Sequence, residues 1–202
     1  MKHPRKFSAP LRYHGLVAVV LLLATASVWS TLSPGYLHGL HPLSLLGAKG
    51  MPQATAFNAL AYVVPGLIAA HLGWGLRRYW HARWASRIGG NVLMLSGLAF
   101  AAQGVLPLDP GDLDGAASQR QAAAWMLWWL AFVVGTALLA WGERGRDEAR
   151  TLVRCSALAA MALTLLAVVL PQLIAPALAQ RAGVGVWLLW LVIAGRVSRS
   201  AA

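Results

Sequence analysis

Residues 121–142 read QAAAWMLWWLAFVVGTALLAWG and contain no charged side chain. A helix needs about 20 such residues to cross the hydrocarbon core of a bilayer. Five other uncharged runs have the same apolar character, at 15–32, 50–76, 88–108, 155–180 and 182–195. These runs predict an all-α membrane protein with six transmembrane helices. The expected spans are about 15–32, 54–76, 88–107, 122–141, 153–173 and 178–196, in a single membrane domain over 1–202.

The composition excludes the other broad classes of protein. The chain is 58% hydrophobic and 11% charged, whereas a soluble domain has roughly 45–50% and about 25%. Cys155 is the only cysteine, which excludes an intrachain disulfide framework. Strands of an outer-membrane barrel alternate polar and apolar residues, whereas these runs are apolar throughout.

The sixth run is too short to span the bilayer by itself. Residues 182–195 would form a helix of about 21 Å, against a core of about 30 Å. The sixth helix is therefore expected to extend back past Arg181 to about Pro176, or forward past Arg196.

The first helix resembles a signal peptide because Ala24, Thr25 and Ala26 are small. We expect it to remain uncleaved, since its apolar run continues to Leu32.

The distribution of basic residues predicts the orientation. Fourteen Lys and Arg residues, among them Lys2, Arg5 and Lys6, fall on one side of the six spans, and Lys49, Arg120 and Arg181 fall on the other. Cytoplasmic loops of membrane proteins carry the excess of Lys and Arg. Both termini are therefore expected in the cytoplasm of a bacterium. The same excess explains the net charge of +11 through attraction to an anionic inner leaflet, so no nucleic-acid partner is expected.

Five polar residues are the candidate ligand-binding site at the external face. We expect all five at a similar depth in the membrane. The residues are Asn58, Gln103, Asp109, Arg120 and Arg181. Polar groups in a membrane are costly and usually point into the helix bundle. We expect Asn58 and Gln103 to exchange a hydrogen bond between helices. We also expect Arg181 to contact Asp109, because Pro107 fixes the chain where Asp109 leaves the bilayer.

Histidines offer two less favoured alternatives. His38 and His41 of the external loop, together with Asp109, have the side chains of a zinc site. His14 and His71 lie near the cytoplasmic ends of their helices, where facing imidazoles are typical of haem ligation. No cofactor is expected from either pattern. No Asp or Glu lies within any predicted span, which argues against ion-driven transport.

Two stretches of the chain resemble a known family. The first runs from Tyr36 through PLSLLGAKGMPQATAFN to VVPG, and the second is GVLPLD at 104–109. Both are similar to motifs of the prokaryotic six-helix membrane family known as domain of unknown function 998. The resemblance implies the same span number and orientation. Relatives commonly place histidines between the Asp and the fourth helix, whereas this chain has none between Asp109 and Trp125.

Three functions remain open at this point. The leading one is a non-enzymatic or accessory protein that binds a lipid or small amphiphile at its external face. The alternative is a membrane-embedded, metal-dependent enzyme that uses His38, His41 and Asp109. The third is a structural partner subunit of a membrane complex.

The first external loop is expected over residues 33–52. Its residues 43–46 are apolar enough to lie at the membrane surface or between helix ends.

Reporter fusions test the predicted orientation. Fusions after residues 82, 147 and 202 should report a cytoplasmic location, and fusions near 42, 113 and 178 an external one, because the Lys and Arg excess fixes the sides. Alkaline phosphatase and fluorescent-protein reporters give opposite signals on the two sides. A single fusion that reports the opposite side would contradict six spans with both termini inside.

Overall fold

The computed structural model describes residues 11–80 and 83–200, so Lys2, Arg5 and Lys6 lie outside this part. It contains six long apolar helices and, over the same residues, no strand. They are α1 (Leu11–Leu32), α2 (Ala54–Tyr79), α3 (Trp84–Val105), α4 (Ala116–Glu143), α5 (Asp147–Gln172) and α6 (Pro176–Ser200). The predicted all-α fold with six membrane-spanning helices is confirmed. α6 begins at Pro176, the residue to which the length argument extends it. The side of the membrane that holds the termini stays a prediction.

Two helices contain a widened π turn next to a proline. In α2 the turn is Ala59–Val63, just before Pro65, and in α5 it is Leu165–Val169, just before Pro171. Proline has no N–H and its ring clashes with the carbonyl four residues earlier. A π turn is one of the ways in which a helix accommodates such a break.

The helices form a closed ring around an aromatic core. Each helix packs against its neighbours in the chain, and α6 completes the ring by packing against α1. Phe100, Trp128 and Trp187 meet at the centre, where the ring centroids of Phe100 and Trp187 are 4.2 Å apart. Large apolar side chains such as Leu23 and Leu158 are exposed on the outside, as a surface in contact with lipid requires. Buried aromatic rings thus fix the interior, and aliphatic side chains cover the outside.

The two ends of the bundle differ in their loops. The first loop, residues 33–53, meets the chain after α3, where the Lys49 N–H donates to the carbonyl of Leu108. We call this the first-loop end. At the opposite end Arg83 donates to the carbonyl oxygens of Gly142 and Arg144. We call this the arginine-rich end.

Glycines set the distance between α2 and α3. A Cβ atom added at Gly97 would overlap the backbone N of Ala70 and lie 2.7 Å from the carbonyl oxygen of Gly66. A Cβ added at Gly66 would lie 2.5 Å from the backbone N of Ala101. Small residues allow membrane helices to approach closely where the hydrophobic effect does not drive them together. These two backbones are therefore in direct contact.

Gly97→Ala should lower the thermal stability of the protein. The added methyl group has no space, and overpacking of this kind costs about 1–3 kcal/mol. Gly185→Ala in α6 is the matched control, since a Cβ there meets no atom within 4 Å. Thermal unfolding of both variants in the same detergent measures the difference. Equal unfolding temperatures for the two variants would show that the α2–α3 contact does not depend on glycine.

Candidate functional site

The first loop folds down between the helix ends at the first-loop end. Its short helix, Leu43–Gly47, buries Leu43 and Leu46, which confirms that this segment lies between helix ends. The Asn58 side-chain amide of α2 donates a hydrogen bond of 2.8 Å to the Gly47 carbonyl oxygen. The Leu43 N–H donates to Oε1 of Gln180 at the start of α6, at 3.2 Å. Two helices therefore hold the loop in place.

The Arg181 guanidinium lies at the centre of this arrangement. Nη1 donates to the carbonyl oxygens of His41 and Ala177, each at 3.0 Å, and Nη2 donates to the Tyr36 hydroxyl. The Tyr36 hydroxyl donates in turn to the Pro42 carbonyl at 3.2 Å. Burial raises the pKa of Tyr36, although the nearby charge of Arg181 offsets part of this effect. Tyr36 therefore stays protonated at neutral pH and keeps its donor.

The predicted contact between Arg181 and Asp109 is wrong. Asp109 forms an ion pair with Lys49, with 3.1 Å between Oδ2 and Nζ. The hydrogen bond from Lys49 lowers the pKa of the Asp109 carboxyl below its ordinary value. Within the described residues, no carboxylate lies within 4.0 Å of the Arg181 guanidinium. A loop carbonyl, a carbonyl of α6 itself and a phenol bind this arginine in the place of an acid.

The other candidate residues are distributed around the site. Gln103 is only 2% exposed, and neither its amide oxygen nor its amide nitrogen has a partner in the described part of the chain. The predicted hydrogen bond between Asn58 and Gln103 is therefore wrong, because Asn58 binds the first loop. Arg120 is exposed on α4. An unsatisfied buried amide costs about 1–3 kcal/mol, so Gln103 provides polar groups that the fold leaves unused.

The histidine alternatives lack the geometry that they require. Over residues 11–80 and 83–200, no three His, Cys, Asp or Glu side chains are close enough to share a metal ion. In the first loop, Nδ1 of His41 accepts a hydrogen bond from the Leu37 N–H at 3.0 Å, and His38 packs against the Tyr36 ring. His38, His41 and Asp109 are therefore not gathered into one site.

His14 and His71 do meet, but face to face. Their ring centroids are 5.3 Å apart and the ring planes differ by 18°. A metal ion lies in the plane of the imidazole that coordinates it. Two histidines that both bind a haem iron therefore direct a ring nitrogen, and not a ring face, towards the iron. The stacked pair does not have this arrangement.

An apolar crevice of about 340 Å³ lies beneath the first loop, between α4, α5 and α6. Its walls come from all three helices and from the loop, and they include Trp125, Trp129, Leu163, Leu166, Ala167, Pro171, Pro176, Gln180, Leu40 and Pro42. Gln180 contributes an amide group, and Arg181 is the next residue along α6. Sequence reasoning missed the crevice. The sequence feature that could have indicated it is the pair of prolines Pro171 and Pro176, which separates the ends of α5 and α6.

A double-mutant cycle tests the environment of Arg181. Arg181→Ala and Tyr36→Phe should each lower stability, and the double variant should lose less than the sum, with a coupling of about 0.5–3 kcal/mol. Arg181→Ala combined with Asp109→Ala should be additive, because Asp109 pairs with Lys49. Thermal unfolding of the purified variants provides the values. Coupling of Arg181 to Asp109, without coupling to Tyr36, would overturn this geometry.

The comparisons with known proteins agree with the fold. The family described as protein of unknown function (DUF998) matches residues 16–197. Neither a curated protein nor a solved structure matches the chain. The matched region contains α2 to α5 whole and most of α1 and α6, and it includes the first loop, Gln103, Asp109 and Arg181. The resemblance seen in the motifs is therefore confirmed, and the chain belongs to the DUF998 family of membrane proteins, whose function is unknown.

Proposed function

We propose that this protein binds a lipid or small amphiphile in the crevice beneath its first loop, as a non-enzymatic or accessory protein of the bacterial cytoplasmic membrane. In this proposal the first-loop end faces the outside, in agreement with the distribution of Lys and Arg. The crevice takes the apolar chain of the ligand. Gln180, which lines the crevice, and Arg181, the next residue along α6, bind the polar head.

The crevice itself is the observation that carries the proposal. Its volume of about 340 Å³ falls within the range of small-molecule sites, roughly 300–1,000 Å³. Its walls are mostly apolar, and Trp125 and Trp129 provide flat aromatic surfaces. A chain that enters the crevice from the bilayer is already out of water, so its gain comes from close packing against these walls. A single-chain amphiphile is the kind of ligand that gains most from this surface.

Arg181 supports a polar or anionic head group. The bonds to His41, Ala177 and Tyr36 hold its guanidinium in position without neutralising its charge. In the described residues its Nε forms no hydrogen bond, so at least one donor remains for a ligand. Guanidinium groups bind phosphate and carboxylate through paired hydrogen bonds. A partly buried cation without an acidic partner is costly near a membrane, and an anionic head group would offset that cost.

The other two functions have less support. A metal-dependent enzyme would need His38, His41 and Asp109 in one place, whereas His41 binds the loop backbone and Asp109 binds Lys49. A structural subunit would use an outer apolar face for its partner. Every helix of this bundle has such a face, because lipid requires it, so no helix is distinguished as an interface.

Substitution of Ala167, which lines the crevice, tests the proposal. Ala167→Trp should fill the crevice and lower the affinity for the ligand about tenfold, because the indole takes the space of the ligand's chain and the packing contacts of that chain are lost. Val168→Trp is the control, because Val168 is the next residue and is exposed on the outer surface. Native mass spectrometry of protein extracted in mild detergent measures retained lipid, added lysophospholipid and bound metal in the same spectrum.

The outcomes separate the three functions. Loss of the retained amphiphile in Ala167→Trp, with wild-type retention in Val168→Trp, would support the proposal. Equal retention in both variants and the wild type would contradict it. One equivalent of a transition metal that is lost in His41→Ala would favour the enzyme.

A further inference from the structure

A second cleft lies at the arginine-rich end, whereas the crevice lies at the first-loop end. It has a volume of about 470 Å³ and lies between the start of α3 and the end of α4. Its walls are Arg83, Trp84, Ala85, Trp141, Gly142 and Arg144. The two helices are in contact beside it, because a Cβ at Gly142 would overlap Ser86. The cleft therefore lies against two packed helices, with Arg83 just before α3 and Arg144 just after α4.

Two arginines line this cleft, and neither has an acidic partner among residues 11–80 and 83–200. Arg83 is held by the carbonyl oxygens of Gly142 and Arg144, at 2.8 Å and 3.1 Å. Arg144 lies over the Trp141 ring, with its guanidinium carbon 5.0 Å from the ring centroid. Neither forms an ion pair with a described residue. Two positively charged side chains therefore line the same cleft.

The acidic residues at this end are paired elsewhere. Arg146 lies 3.3 Å from the buried Glu143 and 2.7 Å from Glu148, and Arg150 lies 2.5 Å from Asp147. None of these three acids lines the cleft. Its charge is therefore positive, and it is complementary to an anion.

The cleft also has an apolar rim. Trp84 is 63% exposed and Trp141 is 54% exposed. Tryptophan is enriched where the hydrocarbon core meets the polar head groups. An anion site beside two tryptophans at this level fits a molecule that has both a negative head group and acyl chains.

We propose that this cleft binds one anionic membrane phospholipid. Its phosphate lies between the guanidinium groups of Arg83 and Arg144, and its acyl chains lie along Trp84 and Trp141. Arginine suits phosphate because its planar group donates two parallel hydrogen bonds. Basic pockets between transmembrane helices are a known type of site for acidic lipid heads. This site is independent of the crevice under the first loop.

A specific site and a general interfacial anchor make different predictions. In an anchor, every exposed arginine at this end contributes a similar, non-specific attraction to an acidic leaflet. In the proposed site, Arg144 contributes much more than an arginine outside the cleft. Arg154 on α5 is the matched control, because it is exposed at the same end, forms no ion pair with a described residue and does not line the cleft.

The experiment compares Arg144→Glu with Arg154→Glu in the full-length protein. Each is reconstituted into vesicles of phosphatidylcholine with a minor share of phosphatidylglycerol, and retained lipid is then measured by native mass spectrometry. Arg144→Glu should lower the affinity for phosphatidylglycerol by at least about tenfold, because a charge-assisted contact is lost. Arg154→Glu should retain it as the wild type does. Arg144→Gln and Arg154→Gln form a milder pair if charge reversal prevents folding.

Three results would overturn the proposal. They are equal losses in the two variants, no preference of the wild type for phosphatidylglycerol over phosphatidylcholine, and complete displacement of phosphatidylglycerol by excess inorganic phosphate. The last result would assign the cleft to a free anion. Ala167→Trp should leave phosphatidylglycerol at this cleft unchanged, so failure here and failure at the crevice are distinguishable.

Discussion

Hydrocarbon offers no hydrogen-bond partners, and this constraint determines the rest of the structure. The backbone satisfies its own groups in six helices. Where the chain leaves a helix at the membrane surface, side chains must bind the exposed backbone groups. Asn58, Gln180 and Arg181 do so for the first loop, through Gly47, Leu43 and His41. The loop can therefore bury its apolar residues between the helix ends, and in doing so it covers the crevice.

The two ends of the bundle use arginine in different ways. At the first-loop end Arg181 is half buried and holds the loop through the His41 carbonyl and the Tyr36 phenol. At the opposite end Arg83 joins the start of α3 to the end of α4, and Arg144 lies on an exposed tryptophan. In both places backbone carbonyl groups orient a guanidinium group, and no acid of the described part of the chain pairs with it. Both sites are therefore suited to molecules that have a negative head and an apolar body.

The sequence predicts the helices well, because the charged residues cluster near the helix ends and leave long uncharged runs between them. The length of the last uncharged run allowed an extension back to about Pro176 or forward past Arg196, and α6 extends both ways, from Pro176 to Ser200. The partner of Arg181 did not follow, since the sequence argument considered only carboxylates. A carbonyl group of a loop can bind the same guanidinium, and no residue pattern encodes it. The crevice was missed for a related reason, because it depends on the separation of two helices near Pro171 and Pro176.

The central claim is that an amphiphile occupies the crevice beneath the first loop. Photocrosslinking with a phospholipid that carries a diazirine in its acyl chain tests this claim most directly, with adducts located by peptide mass spectrometry. The account predicts adducts concentrated in residues 163–183 and around Trp125 and Trp129, and competition by unlabelled lipid should abolish them. Adducts spread evenly over the outer faces of all six helices, without competition, would contradict it.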